Sequence, residues 1–476
     1  MLVGFLILPF VFSALLASFI FLKNPIYIRR LAKSFYFVQF IYTTIIIFVV
    51  QKGGFSFLDF NFEYSEIGSY LLFLTNFVFF LFSIISKKFI LKLNRVFYAI
   101  SFLLLGLIDL TIFSNNIFIF IVSIFWVFLI NYFLNVSYCK KEAKKRLILQ
   151  LTNDIFWIFV ALLLVLYDFA RYFILNNIEF SFLNVVQNLY KIDEFGVLLG
   201  FVGLLIILAR LFNLIPFSAK NQSFIPYISP YIVTFGLISN LILGVNLFVK
   251  IYLVFDYLFY QIQGVIAIFL LINFAIFVVL TLKQKKISKF LYNLLNASII
   301  VALFATFSFE NECLSVFLYS SIVIVVSYLL CSFVMMILAD RCQCDDFDEL
   351  TKIIDKSRMT QFFVLFSFLN FSSTPMLALF SSQLICFSMI FATDYDSVIL
   401  NIAPFCLILG VFLLCLSILG VLYKILIASI QKEKTVSFCN HQIIVCIVLV
   451  LTILLFGLLP DIIFNQIATS VEIGNY

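Results

Sequence analysis

Arg210, Asp154 and Asp109 are ionisable side chains set inside long apolar runs, and two prolines, Pro216 and Pro375, interrupt runs of the same kind. A protein that moves charge across a bilayer needs ionisable or polar groups facing its interior. It also tends to use broken helices, because a disrupted turn frees backbone groups for bound water or ions. Pro216 closes the segment Arg210-Leu-Phe-Asn-Leu-Ile-Pro216-Phe217. Proline removes a backbone donor and clashes with the preceding turn, so a break is expected there. The competing reading is that the run simply ends and Arg210 reaches the surface along its own stem. Pro375 sits in the middle of residues 360–391, within Ser372-Ser-Thr-Pro375-Met-Leu-Ala-Leu-Phe-Ser-Ser-Gln383. That run is too long for one straight crossing. A break at Ser373 to Pro375 resolves the excess, with Ser and Thr hydroxyls satisfying the freed carbonyls; a plain proline kink is the alternative. Asp154 follows Thr152 and Asn153 in a polar patch, and a buried, unpaired carboxylate binds a proton more readily, which suits proton handling. Asp109 fits better a place near a membrane surface.

Other chemistries find little support. Cys342, Cys344, Cys439 and His441 fall on one side of the expected topology, but their spacing matches no zinc motif, and no metal is expected. His441 is the sole histidine, which excludes haem ligation by a histidine pair within the chain. There is no phosphate loop, no Ser/His/Asp set and no dinucleotide fingerprint. The ten cysteines show no disulfide-scaffold spacing.

The elements that carry these residues follow from composition. Of 476 residues 64% are hydrophobic and 11% charged, with a mean hydropathy of +1.19. A soluble surface needs more charge than that, so lipid is the solvent for most of the chain. Backbone groups in lipid must bond internally, which selects helices; the alternating polarity of a membrane barrel is absent. The 20-residue criterion gives about fourteen spans. They lie near 3–22, 34–51, 67–86, 94–114, 117–138, 147–168, 195–215, 228–250, 258–282, 288–308, 313–339, 360–391, 398–427 and 441–464. Met1 to Leu22 has no basic leader and no cleavage site and reads as the first span.

Loop charge tests the count independently. Only four of the 30 Lys and Arg, namely Lys52, Arg171, Lys191 and Lys250, fall on the even-numbered loops. The rest gather on odd loops and their flanks, which therefore face the side of synthesis. Both termini then lie on the opposite side. The net charge of +6 is explained by that distribution and needs no nucleic acid. The stretches 169–194 and 340–359 are the longest outside the spans; the second is dense in charge and fits either a short interfacial helix or a solvated connector. The abundance of Phe (65) and Tyr (22) against Gly (15) and Pro (8) follows AT-rich codons and points to an organelle or a reduced bacterial genome.

Several segments together resemble NADH dehydrogenase subunit 2, an antiporter-like membrane subunit of respiratory complex I. Glu142-Ala143 with Arg146, Ile215-Pro216-Phe217, Ser229-Pro230 and Ser239-Asn240 match family segments in order. So do Lys286-Ile287-Ser-Lys289-Phe-Leu-Tyr292, Ala297-Ser298, Pro375-Met376-Leu377-Ala378-Leu-Phe380 and Gly457-Leu-Leu-Pro460. Each match is short, but together they cover nearly the whole chain.

The resemblance implies an all-α polytopic membrane protein with two inverted five-helix repeats, each with one broken helix. The divisions would be an N-terminal three-helix segment (1–93), a first repeat (94–257), a second repeat (258–430) and a C-terminal helix and tail (431–476). The family's proton path uses a Glu in the fifth helix and Lys in the seventh, eighth and twelfth. Here the fifth span has no acid, the eighth-helix position is Asn240, the twelfth-helix position is Gln383, and the seventh-helix position is Leu211 beside Arg210. Arginine keeps its charge where lysine can release a proton. The proton-path candidates are therefore Arg210, Asp154, Asn240 and Gln383, with helix breaks at Pro216 and Pro375 and no catalytic residue.

On this reading the chain contributes to, or structurally supports, redox-coupled proton translocation. It binds no cofactor; FMN, iron–sulfur clusters and ubiquinone belong to partner subunits. Partners would be complex I membrane subunits 4, 4L and 6, accessory subunits and lipids including cardiolipin. The location implied is the mitochondrial inner membrane, multi-pass and organelle-encoded, with termini on the intermembrane-space side. The competing readings are a lipid-linked saccharide flippase, expected to carry basic residues around a central cavity, and a standalone cation/proton antiporter, expected to keep buried Lys and Glu. The paralogous subunits 4 and 5 share the repeats, and the segment around Pro375 favours subunit 2.

Overall fold

The computed structural model describes the chain apart from residues 1, 19–24, 50–52, 58–59, 86–95, 138–143, 168–180, 183, 186–193, 217–229, 309–311, 343–344, 351–357, 393–397, 430–437 and 475–476. The motif residues Glu142, Ala143, Phe217 and Ser229, the candidate ligand Cys344 and much of the loop charge used for orientation lie outside the described residues.

Sixteen α-helices and one hairpin make up the described chain. In order they are α1 (Leu2–Ser18), α2 (Pro25–Val49), β1 (Gly53–Phe57), β2 (Phe60–Tyr64), α3 (Glu66–Ile85), α4 (Val96–Phe113), α5 (Ile117–Ser137), α6 (Lys144–Val165) and α7 (Glu194–Leu211). Then follow α8 (Pro230–Lys283), α9 (Ile287–Phe304), α10 (Cys313–Cys342), the single turn α11 (Phe347–Leu350), α12 (Arg358–Phe371), α13 (Ala378–Ala392), α14 (Val398–Ser429), α15 (Asn440–Leu458) and α16 (Pro460–Gly474). Helix α8 is kinked at Phe255 (φ −124°, ψ 30°), so it supplies two of the expected spans. The span expected over 360–391 is divided between α12 and α13. The span expected over 441–464 is carried by α15 and runs past its end at Leu458 into α16, and each of the other expected spans is carried by one helix. Among the described residues nine helices are long and apolar enough to cross a membrane, and three shorter apolar helices accompany them. The chain is an all-α polytopic membrane protein. Among the described residues the one sheet is the β1–β2 ribbon, which pairs Phe55 with Phe62 and Phe57 with Phe60. Its sequence signal is the alternation Phe-Ser-Phe-Leu-Asp-Phe-Asn-Phe, a period of two inside a short loop between spans. Of the charged stretch 340–359, one short helix, α11, is described, and residues 351–357 lie outside the described part.

Two compact units partition the chain: residues 1–218, 227–256 and 474–476 form the first, and 219–226 and 257–473 the second. In the first unit α1 lies along α4, α2 along α3, and α6 along α7. Aromatic stacking fills the seams: Tyr36 lies flat on Phe102 at 3.9 Å, and Phe40 on Phe80 at 5.5 Å. In the second unit α9 and α10 are the core, with every residue of their spanning windows buried. Helix α14 lies outside, with Phe405, Leu409, Phe412 and Leu416 exposed along one face. Such an apolar stripe at helical spacing is what a lipid-facing surface requires.

Helix α9 begins against a short crossing of two loops. The Ser288 amide and hydroxyl both donate to Asp345 Oδ1, at 3.0 and 2.6 Å, and the Ile287 amide donates to the Asp345 carbonyl. This satisfies donors that a helix start leaves orphaned. Burial pushes the Asp345 carboxyl above the usual aspartate range, and the two Ser288 bonds pull the other way.

Candidate functional site

The geometry of the first unit starts from a glycine. A Cβ on Gly203 of α7 would lie 2.8 Å from the Ala161 carbonyl of α6, so only glycine lets the two helices run this close. Two turns from that contact on each helix, seven residues away, stand Arg210 and Asp154. Because the helices are antiparallel there, the same close approach brings these two together. The Arg210 guanidinium and the Asp154 carboxylate meet at 2.5 Å, with side chains 3% and 12% exposed. A charge so deeply placed is tolerable only when paired. Arg210 also sits 5.7 Å from the Phe128 ring centroid on α5, a cation–π contact.

Helix α7 ends beside this pair. Asn213 adopts a left-handed conformation (φ 54°), its amide donates to the Arg210 carbonyl at 3.2 Å, and the Leu214 amide donates to the Ala209 carbonyl at 2.8 Å. This is a Schellman cap, which asparagine tolerates better than most residues. Arg210 lies in the last turn, where the helix dipole favours a cation. The Phe212 ring then packs on Gly244 of α8, where a Cβ would meet it at 2.6 Å. The break therefore lies at Asn213, just before the expected Pro216, which is itself exposed.

Asn240 is not isolated. The Asn131 amide on α5 donates to Asn240 Oδ1 at 3.3 Å, and Asn131 stands one turn from Phe128. Asp154, Arg210, Phe128, Asn131 and Asn240 thus link α6, α7, α5 and α8 in succession. Lys250 lies ten residues beyond Asn240. Its ammonium caps α4 by donating to the carbonyls of Thr111 and Ser114, and it lies over the rings of Phe120 and Phe182 at 4.9 and 5.5 Å.

The second unit repeats the break without the charge. Helix α12 stops at Phe371; Ser373 is left-handed (φ 53°), its amide donates to the Asn370 carbonyl at 3.2 Å, and the Thr374 amide donates to the Leu369 carbonyl at 3.3 Å. The hydroxyls of Ser372 and Thr374 also donate to the Leu369 carbonyl, both at 2.9 Å. The hydroxyls of this polar segment satisfy a carbonyl that the break frees, as the sequence led one to expect. Met376 is a second residue at positive φ (71°), and its carbonyl rests against Gly457 of α15, where a side chain would collide with backbone. The Ser373 hydroxyl donates to Gln383 Oε1 at 2.5 Å, so the amide of the twelfth-helix position braces the break. Within this unit Asn293, Asn296, Ser321, Ser327 and Asn370 are buried and carry side-chain atoms that find no hydrogen-bond partner among the described residues. Groups of this kind are suited to holding water.

The sequence matches no protein-family model and no curated protein. Solved structures do match. A chain of respiratory complex I from Thermus thermophilus superposes with a TM-score of 0.80 at 16% identity, covering 100% of this chain and 99% of that one. A chain of the membrane-bound sulfane sulfur reductase, an archaeal respiratory membrane complex, gives 0.81 at 12% identity, covering 99% and 97%. A chain of the Mrp complex from Dietzia sp. gives 0.82 at 11% identity, covering 98% and 96%. This chain shares their fold. That fold, end to end, is the one implied by the resemblance to a complex I membrane subunit.

Three features of the site were not read from the sequence. Asn131 carries no charge and stands in an apolar run, so nothing in its type marked it as a partner of Asn240. Gly203 carried the signal of a small residue among bulky ones, and its partner Ala161 is small as well. Lys250 looked like an ordinary surface lysine.

Proposed function

We propose that this chain is the subunit 2-type membrane-arm subunit of an NADH:ubiquinone oxidoreductase. The observation that supports it is the whole-length match of its fold to a chain of respiratory complex I. In this reading residues 94–257 and 258–430 are the two repeats, and each contributes one broken helix. Asp154 is the group that exchanges a proton. Arg210 keeps its charge and sets the field around it, while Asn240 and Gln383 stand where the family carries charge, now as hydrogen-bonding groups for water, and Asn131 donates to Asn240. FMN, iron–sulfur clusters and ubiquinone belong to partner subunits, the neighbours are subunits 4, 4L and 6, accessory subunits and cardiolipin, and the membrane is the mitochondrial inner membrane with both termini in the intermembrane space.

Native-gel separation of mild-detergent extracts, with in-gel NADH dehydrogenase staining and mass spectrometry of the stained band, tests the assignment. Stoichiometric presence beside the flavin-bearing subunits is expected; migration without them overturns it. Within the assembled complex, D154N is expected to lower the number of protons moved per NADH while leaving NADH oxidation in uncoupled membranes intact. An unchanged ratio would leave the chain a purely structural section of the arm. The likeness to a chain of the Mrp complex favours a second reading, a cation/proton antiporter. In that case the chain would migrate apart from NADH dehydrogenase activity and support cation-driven proton movement in vesicles.

A further inference from the structure

A second buried acid lies apart from the Arg210–Asp154 pair. Asp109 of α4 is fully buried, as are Gln39 of α2 and Asn76 of α3. Gln39 Nε2 reaches one carboxyl oxygen of Asp109 and Asn76 Nδ2 reaches the other, each at 3.5 Å. The opposite ends of both amides, Gln39 Oε1 and Asn76 Oδ1, are buried acceptors with no hydrogen-bond partner among the described residues. The sequence placed Asp109 near a membrane surface; the folded chain encloses it.

No cation pairs with Asp109 among the described residues. Helices α1 and α5, packed on α4, carry no Asp, Glu, Lys or Arg in their described ranges. On α2 the nearest basic residue, Lys33, is six residues before Gln39, roughly 9 Å along the helix. On α3 the one charged residue is Glu66, at its start, while Glu63 of β2 is a further acid and no counter-charge. Lys250 donates to the carbonyls of Thr111 and Ser114, and Arg210 is held by Asp154. The neighbouring phenol Tyr36 is bonded to the Ser101 hydroxyl.

A bare carboxylate enclosed in this way, without a counter-ion, neutralises instead. A primary amide offers an oxygen as readily as a nitrogen, and the choice is fixed by what it faces. The Asn76 amide is fixed by a second bond, from Nδ2 to the Leu72 carbonyl at 3.0 Å, but turning the Gln39 amide presents its oxygen to a carboxylic O–H while Asn76 still donates to the remaining carboxyl oxygen. One proton on the carboxyl would therefore satisfy the acid and one of the two idle acceptors together. We propose that Asp109, Gln39 and Asn76 form a proton-binding site, in which Asp109 is held as a neutral carboxylic acid between two amides. Binding takes a proton from water onto a carboxylate oxygen, and release returns it. The site is separate from the ion pair, which neutralises its acid with a cation, and it stands whether or not the chain belongs to complex I.

Infrared spectroscopy of the purified, lipid-reconstituted protein in its native assembly, carrying carbon-13 in the aspartate side chains, tests this. A carbonyl stretch of a protonated acid, sensitive to the label, is expected at neutral pH. It should be lost in D109N and kept in D154N. Q39L and N76L should shift the band without removing it, which secures the assignment if D109N fails to accumulate. The proposal is overturned by the absence of a label-sensitive acid band, by its survival in D109N, or by an unshifted band in both leucine variants. An acid band that appears only when sodium is withdrawn would also overturn it, by making this a sodium site.

Discussion

At Asn213 and at Ser373 the chain leaves a helix by the same route: one residue at φ near +54°, one amide bonded three residues back, the next bonded five back. The residue three before the turn is Arg210 in the first case and Asn370 in the second. Around Arg210 the protein assembles a buried ion pair and an aromatic ring. Around Asn370 it assembles hydroxyls, an amide and main-chain contacts. The main-chain path of a break is thus independent of the charge beside it. A broken helix needs its loose carbonyls satisfied, and Ser, Thr or a capping turn can do that at either place.

The largest expected effect separates the two regions most sharply. R210L strands Asp154 without its cation, and its cost to unfolding stability should be roughly 3–5 kcal/mol. Q383A at the other break removes one hydrogen bond and should cost about 1 kcal/mol. Equal losses in denaturant titrations of the two variants would erase the distinction, and R210L/D154L should recover most of the first loss. Next come the glycines beneath the breaks. G203A and G457A each force a Cβ against backbone and should cost roughly 1–3 kcal/mol, whereas G420A, which meets nothing within 4 Å, should be neutral or slightly stabilising. Midpoint shifts in the same titrations order the three. The smallest effect concerns the turns themselves. Serine is poorly suited to left-handed backbone and asparagine is better suited, so in a Q383A background, where the Ser373–Gln383 bond is already gone, S373G should gain about 1 kcal/mol, and N213G close to nothing. A gain of the same size at both positions would mean that the second break stores no more strain than the first.

The sequence made the helical class, most of the apolar helices and both breaks legible, because each rests on a local signal: run length, or a proline inside an apolar run. Ser372 to Pro375 is the clearest case, where polar residues within an apolar run predicted which groups would satisfy a broken turn. The ion pair was half legible. Arg210 and Asp154 were both singled out, yet nothing along the chain tied them to one another, since their meeting depends on Gly203 and Ala161 two turns away. The enclosure of Asp109 was not legible at all. Its partners come from two other helices, and a position one turn from a helix end reads as surface until neighbouring helices are seen to cover it.

Gly203 and Gly457 bear on how such a chain tolerates a skewed genome. With 65 Phe against 15 Gly, the composition leans toward codons rich in A and T, whereas every glycine codon begins with two guanines. Exchanging Lys for Asn inside the membrane is neutral to that lean, since both have a codon of A and T alone, and it leaves the main chain where it was. At the two glycines no AT-rich codon encodes a residue that fits, because the neighbour is a carbonyl of the main chain and not a side chain that could shrink in turn. Mutational drift can therefore rewrite the polar interior of this protein long before it reaches the points where backbone touches backbone.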